Sequence, residues 1–516
     1  MVWPFRFATA PGASTALQAP LGLTVKKPSF FWLWAGVVVS AFALALLLGL
    51  GQYVVVGALV IMALGPLLIV YPWAGLWTTI VGSLVFSGLI DLYMPKLRPL
   101  SYAVMLLATL LALYTGLRYY LKVGQRRGMI DKTGLPLALF LFGLCIVGAA
   151  LVNWHGALTF IVGTKGYFQV WGMFVAIYYL VDDEIDARRV MRFLLLLGLI
   201  QLPFVFHQFF VLVPRRLSDL AAAHGIVAID VVAGTFGGQM MGGGRSPSLA
   251  LLLLTGLAII GAAWKSGQMK FGRAFLWACA LALPILMSEV KIVLVLIPIA
   301  LFLLFQPEIR RHPVKASVIA GCVGFSMVLL FSIYLILPGA KSQQHKDLAA
   351  YFDESVAYNL GDKGYGGDLL NRKTVYPFWL AQHSDGDVVS ILLGHGPGQT
   401  NDGSNVMKHT LASDRYQGYG IDATGISSLL WEVGVLGTLA ALAVFYQAYR
   451  LAGTLCRRWE GTEHWPLLKA AEVSMPLFAL SLLHNNYFVI DVSLQALVML
   501  ILGYLLVMAR LERKPA

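Results

Sequence analysis

A single recurring length constrains this chain more than any motif. Apolar runs of about 20 residues follow one another almost from end to end, and about 20 residues is what a helix needs to cross the hydrocarbon core of a bilayer. We place about fourteen of them, near 31–50, 53–71, 73–90, 99–117, 134–152, 166–181, 191–213, 247–264, 274–288, 291–306, 316–337, 423–447, 471–489 and 492–509. The two on either side of Glu289 are among the shortest. Only 12% of the 516 residues are charged and 58% are hydrophobic. Soluble domains carry roughly 25% charged residues, so the solvent for this surface is lipid. The expected fold class is an all-α polytopic membrane protein. It has a tail at 1–29, transmembrane helices 1–11 over 30–337, a large loop at 338–422, and helices 12–14 with a second tail over 423–516.

The net charge of +12 is informative through its distribution. Alternate short loops hold Arg118/Lys122/Arg126/Arg127/Lys132, Arg188/Arg189/Arg192, Lys265/Lys270/Arg273, Arg310/Arg311/Lys315 and Arg450/Arg457/Arg458/Lys469. Arg6/Lys26/Lys27 and Arg510/Arg513/Lys514 extend the series into the two tails. This is the positive-inside pattern, and it predicts both termini in the cytoplasm. The stretch 1–27 lacks the apolar core and cleavage site of a signal peptide. No basic stripe interleaved with aromatics lies in a soluble segment, so nucleic acid is not an expected partner. The four cysteines show no CxxC spacing and none lies in the large loop, which points to neither a disulfide framework nor a zinc site.

The unusual sequence falls on the other side of the membrane, in a segment at about 214–246 and in the loop at 338–422. A loop that long is functional or disordered, and this one carries helical patterning. "HKDLAAYFDESVAYNL" places apolar residues on one helix face, and "NRKTVYPFWLAQH" predicts a short helix with Asn371 as its cap. Several charges sit on this side against the topological bias. In "SEVKIVLVLIP" Glu289 and Lys291 occupy a very short turn between two spans. Lys165 in "GTKGYFQVW" and Arg245 in "GTFGGQMMGGGRSPS" each just precede a span, and Arg372 lies in the large loop. Charges held at a membrane edge are costly and are often functional. For Lys291, snorkelling or pairing with Glu289 is the competing expectation. Several cations on one face suit a phosphate or pyrophosphate, Arg by bidentate contact and Lys as a point charge.

Four of these stretches resemble the O-antigen ligase and Wzy-type polysaccharide polymerase superfamily. They are "GTFGGQMMGGGRSPSLALLLL", "SEVKIVLVLIP", the Arg–Trp–Gly-x-Gly order of "NRKTVYPFWLAQHSDGDVVSILLGHGPGQT", and "TGISSLLWEVGVLGTLAAL". "VGTKGYFQVWGMFVAIYYL" is similar to exopolysaccharide polymerases. The likeness runs from about residue 165 to the C-terminus. It implies a GT-C-like helical fold in the bacterial inner membrane and a metal-independent glycosyltransferase with no cofactor. Its implied substrates are undecaprenyl-pyrophosphate-linked oligosaccharides, met among membrane lipids on the periplasmic face. A chain-length-regulating copolymerase is a further implied partner.

In that chemistry a sugar hydroxyl displaces a lipid pyrophosphate, and fixed cations stabilise the charge that develops on it. Arg372, Arg245, Lys291 and Lys165 are the candidates for this. Asp422 and His395 are the candidates for a general base, weighed against a solvated carboxylate and a turn residue. Glu289 and Glu432 are read as supporting, Glu432 by orienting a partner or a helix. Ligases of the superfamily carry a His-Asn pair before the Leu-x-Glu-x-Gly stretch; this chain has "GYGIDATGISSLLWEVG", with Asp422 there and no His. The departure favours a polymerase over a ligase. A lipid-linked oligosaccharide flippase or transporter and a structural assembly subunit are the readings of other classes.

Overall fold

The computed structural model describes residues 70–122, 133–218, 228–240, 243–314, 368–384, 387–401 and 407–512, with a few isolated positions besides. All of them belong to one compact unit, Gly57–Ala516. The expected span at 31–50, almost all of those at 53–71 and 316–337, and the first helix expected in the long loop lie outside the described residues.

Among the described residues the secondary structure is helical, with one isolated bridge between Gly238 and Gly244. In chain order the helices are α1 (Pro72–Tyr93), α2 (Pro95–Leu121), α3 (Gly134–Val152), α4 (Ala157–Phe168), α5 (Trp171–Leu180), α6 (Glu184–Arg216), α7 (Ser246–Lys265), α8 (Phe271–Met287) and α9 (Val293–Arg311). The long loop holds α10 (Val375–His383), α11 (Val388–Leu393) and α12 (Leu411–Arg415). The chain continues through α13 (Gly425–Arg458), α14 (Trp465–Ser481), α15 (Tyr487–Ile490) and α16 (Val492–Glu512). Eight of these are long and apolar enough to cross a bilayer alone, and the pair α4–α5, bent by 50°, makes a ninth crossing if it is one broken span. The chain is a polytopic helical membrane protein.

Several boundaries differ from the expectation. The span read at 166–181 starts earlier, at Ala157, and breaks before Trp171, so Lys165 lies inside a helix and not in a loop before one. Gly163 permits this course, because a Cβ there would lie 2.1 Å from the Pro397 carbonyl oxygen. The span read at 471–489 begins at Trp465, with Pro466 in the first turn, where a missing N–H costs nothing. Asn371 caps the turn that leads into α10: its buried side chain accepts the N–H groups of Lys373 (2.8 Å) and Thr374 (2.9 Å), and its carbonyl accepts from the Val375 N–H (3.1 Å), where the regular helix begins.

The core is built around α16, whose most apolar window is wholly buried, and α7, whose window is 83% buried. Lipid is as apolar as leucine, so close packing has to hold such helices together. Small residues supply it. A Cβ on Gly172 of α5 would lie 2.0 Å from the Ala108 oxygen of α2, and one on Gly503 of α16 would lie 2.9 Å from Ile177 of α5. By contrast α3 leaves Leu137, Phe140, Leu141 and Leu144 exposed, an apolar face of the kind that meets lipid.

Polar ties between loops divide into two groups. At one end Arg188 pairs with Glu463, Lys265 with Glu308 (2.8 Å) and Arg458 with Glu512, while Arg510 donates to the Tyr178 carbonyl (2.6 Å). At the other, Arg245 pairs with Asp91 (3.0 Å), Arg372 donates to the His484 carbonyl (2.7 Å) and Asn486 to Asp422 (2.9 Å). The first group joins the Lys- and Arg-rich loops to one another, and the second joins the segments that carry the outlying charges. Single cysteines introduced at Ser384 and at Gly461 of a cysteine-free variant should therefore react with an impermeant reagent from opposite sides of sealed vesicles. Reaction of both from one side contradicts the partition.

Candidate functional site

The site end is organised by irregular backbone at 228–240 and 243–245 that packs into the helical body. Backbone N–H and C=O groups removed from water need partners, and non-helical segments at membrane depth survive only inside protein. Two glutamines seven residues apart on α6, both fully buried, provide the partners. The Gln208 Oε1 accepts from the N–H groups of Ala233 (3.0 Å) and Gly234 (2.7 Å), and its Nε2 donates to the Gly234 carbonyl (2.8 Å). The Gln201 Oε1 accepts from the Thr235 N–H (2.8 Å), and its Nε2 donates to the Thr235 hydroxyl (2.9 Å), which donates in turn to the Leu84 carbonyl (2.8 Å). Gly88 lets the segment approach α1, since a Cβ there would meet the Thr235 oxygen at 2.2 Å.

This clamp fixes Arg245 and Asp230. The Arg245 guanidinium lies between Asp91 (3.0 Å) and Asp491 (3.5 Å) and donates to the Phe236 carbonyl (3.3 Å). Its charge is balanced inside the protein, so Arg245 locks the segment in place. The adjacent Gly244 carbonyl accepts from the Tyr487 hydroxyl (2.8 Å), which ties the segment to α15.

Asp230 gathers the other cations. Burial pushes its carboxyl above the ordinary range, and Arg216, Lys291 and Arg372 pull it back. Lys291, from the turn between α8 and α9, and Arg372, from the loop, thus act electrostatically on the same carboxylate. Glu289 joins them: burial raises its carboxyl to about 7, with Lys291 opposing and Asp230 adding to the rise. Arg372 is oriented by its Nε bond to the His484 carbonyl (2.7 Å). Burial, and then Arg372 itself, lower His484 to about 3, so its imidazole is neutral at ordinary pH. Asp422 reaches the same turn through Asn486. The Lys165 ammonium lies 3.5 Å from the centre of the Tyr102 ring, a cation–π contact.

Glu432 and His395 hold the loop against α13. At Gly434 (φ 67°) the helix is interrupted, and the Trp431 and Glu432 carbonyls accept instead from the N–H groups of His395 (2.8 Å) and Gly396 (2.9 Å). The buried Glu432 carboxylate accepts from the Thr400 hydroxyl (2.6 Å) and N–H (3.2 Å) and from the Tyr167 hydroxyl of α4 (2.7 Å). His395 packs among Trp431 and His383, its Nε2 3.2 Å from that of His383. Burial, then His383, lower its imidazole to about 4. The titratable groups that act on it are His383, Arg415 and His155, none of which is among those acting on Asp230.

Asp230, Arg216, Asp91 and Asp491 were not anticipated from the sequence. The signal existed: each carboxylate stands alone in an apolar context ("VAIDVV", "GLIDLY", "FVIDVS"), and Arg216 violates the same charge bias that singled out Lys291. Among the described residues no group of three or more His, Cys, Asp or Glu is placed to hold a metal ion. No known family model matches the chain, and no characterised protein aligns with it.

Two expectations follow. Glu432→Ala removes the acceptor shared by Thr400 and Tyr167 and leaves buried donors unpaired, which costs about 1–3 kcal/mol. The unfolding midpoint in detergent should fall; an unchanged midpoint contradicts the clamp. His395 is held neutral in the fold while an unfolded imidazole titrates near 6.5. Its contribution is therefore present above pH 6.5 and is lost as pH falls toward 4. Hydrogen exchange over 388–400, corrected for intrinsic rates, should be faster at pH 5 than at pH 7, and equal protection contradicts this.

Proposed function

We propose that this protein joins undecaprenyl-pyrophosphate-linked oligosaccharide repeats into longer lipid-linked glycan, the reaction of an O-antigen, capsular or exopolysaccharide polymerase. One observation carries the reading: Lys291 and Arg372, far apart in sequence, both lie within electrostatic reach of Asp230, at the end of the body opposite the basic loops. In this reading the basic loops face the bacterial cytoplasm, both termini lie there, and the Asp230 end faces the periplasm. The full chain crosses the inner membrane about fourteen times in a GT-C-like arrangement.

Pyrophosphate leaves readily once its growing charge is stabilised. Preorganised cations in a site of low dielectric do this with little reorganisation. Lys291 supplies a point charge. Arg372 supplies a planar fork whose orientation is set by the His484 carbonyl. The growing chain is the donor, its reducing end passing to a hydroxyl of an incoming repeat, and a copolymerase sets the length. Asp422 bonded to Asn486, in place of the ligase histidine, keeps polymerase ahead of ligase.

Purified protein given lipid-linked repeats and EDTA should yield a ladder of lengthening products. Arg372→Ala and Lys291→Ala should each slow it by about 100–1000-fold, the usual effect of deleting a charge-stabilising donor, while the variants still insert. Arg372→Lys should also be slow if the fork is needed. Arg245→Ala should instead reduce stability, since it strands Asp91 and Asp491. Near-normal ladders from both alanine variants return Lys291 and Arg372 to a structural role. Transfer to lipid A core supports a ligase, and movement of the intact unit across the bilayer with no new glycosidic bond supports a flippase.

A further inference from the structure

The turn between α8 and α9 contains a residue that its backbone does not favour. Glu289 has φ 47°, in the left-handed region where a side chain is strained, while every other positive-φ position among the described residues is a glycine. Such strain costs on the order of 1–3 kcal/mol and clusters at functional sites. The chain contains 52 glycines and uses them at turns of this kind elsewhere. If position 289 served the backbone alone, glycine would serve it better.

The turn is well held. The Ser288 N–H donates to the Pro284 carbonyl (3.1 Å) and the Ser288 hydroxyl to the Ile285 carbonyl (3.0 Å), and the Val293 N–H donates to the Val290 carbonyl (3.0 Å). The backbone that carries the half-buried Glu289 is therefore fixed, and its carboxyl lies within electrostatic reach of Lys291 from its own turn and of Asp230 from the clamped segment. Arg216, Lys291, Arg372 and the Tyr487 phenol are within electrostatic reach of Asp230 in turn. A carboxylate thus stands among the cations proposed to receive the pyrophosphate, where an attacking hydroxyl has to approach.

We propose that Glu289 is the general base of the transfer, the group that takes the proton from the acceptor hydroxyl; the assignment rests on the polymerase reading above. As the hydroxyl oxygen forms its bond to the anomeric carbon, its proton passes to the Glu289 carboxylate. The bond from that carbon to the pyrophosphate oxygen breaks, and its electron pair leaves with the lipid pyrophosphate beside Lys291 and Arg372. The protonated Glu289 returns its proton to water before the next cycle. A base works best with a pKa near the working pH, and burial among these neighbours holds this carboxyl at about 7.

The test uses the full chain in proteoliposomes with lipid-linked repeats, following rate from pH 5.5 to 9 for wild type, Glu289→Gln and Glu289→Gly. Undecaprenyl pyrophosphate binding is measured alongside. The wild-type rate should rise about tenfold per pH unit and level off above about 7, where the carboxylate is ionised. Both variants should insert and bind undecaprenyl pyrophosphate at least as well as wild type. They should elongate at least about 100-fold more slowly, the low end for a lost general base, with that limb gone from the profile. Glu289→Gly relieves the backbone, so its inactivity is not a folding failure. Wild-type rates and an unchanged limb in Glu289→Gly overturn the assignment and leave the polymerase reading standing. A wild type that binds yet forms no glycosidic bond at any pH overturns both.

Discussion

The fold depends on the absence of water around its middle. A peptide group or charge that lipid surrounds has no partner except the protein itself, and leaving it unmade costs several kcal/mol. Regular helices solve this for most of the chain. The exceptions are solved one at a time by named side chains. Gln201 and Gln208 satisfy the irregular backbone at 233–235. Asp91 and Asp491 enclose the Arg245 charge. A short π-helical turn at Gly82–Phe86 offers the Ser83 and Leu84 carbonyls to the Ser493 and Thr235 hydroxyls. Each device secures a segment that carries, or adjoins, a residue of the candidate site.

The same economy appears where the long loop meets α13. Breaking a helix at Gly434 exposes carbonyls that would otherwise be satisfied in the next turn. The loop takes up two of them with consecutive N–H groups, of His395 and Gly396. A Cβ on Gly434 would lie 2.4 Å from Leu392 backbone, and one on Gly394 would lie 2.5 Å from Glu432 backbone, so the two glycines permit one mutual approach. Glu432 then fixes the junction by binding Thr400 and Tyr167 together. The Leu-x-Glu-x-Gly and Gly-x-Gly stretches are, in physical terms, two halves of one joint.

Much of the membrane architecture was legible because it is a matter of length and sign. The runs read at 134–152, 247–264 and 492–509 became α3, α7 and α16 with small shifts, and the alternation of basic loops matches the two groups of loop ties. The broken span α4–α5 was less legible, since Lys165 looks like a boundary until its contact with Tyr102 is known. The site was legible only in part. A cation at a membrane edge announces itself, but its partner does not. Arg245 and Arg372 look alike in sequence. Only long-range contacts separate the one enclosed by Asp91 and Asp491 from the one near Asp230. Asp230 carries no topological signature, because the loop bias marks positive charge alone, although a solitary carboxylate in an apolar run is equally costly.

The central claim is that the Lys291–Arg372 end recognises a lipid pyrophosphate. An experimental structure of the full chain in nanodiscs loaded with undecaprenyl pyrophosphate tests it most directly. The account predicts pyrophosphate density in contact with both the Lys291 ammonium and the Arg372 guanidinium, beside Glu289, with the Arg245 ion pairs unchanged. Pyrophosphate bound at the opposite end, against Arg188 and Arg192, or its exclusion from the Asp230 end at saturating lipid, would contradict it.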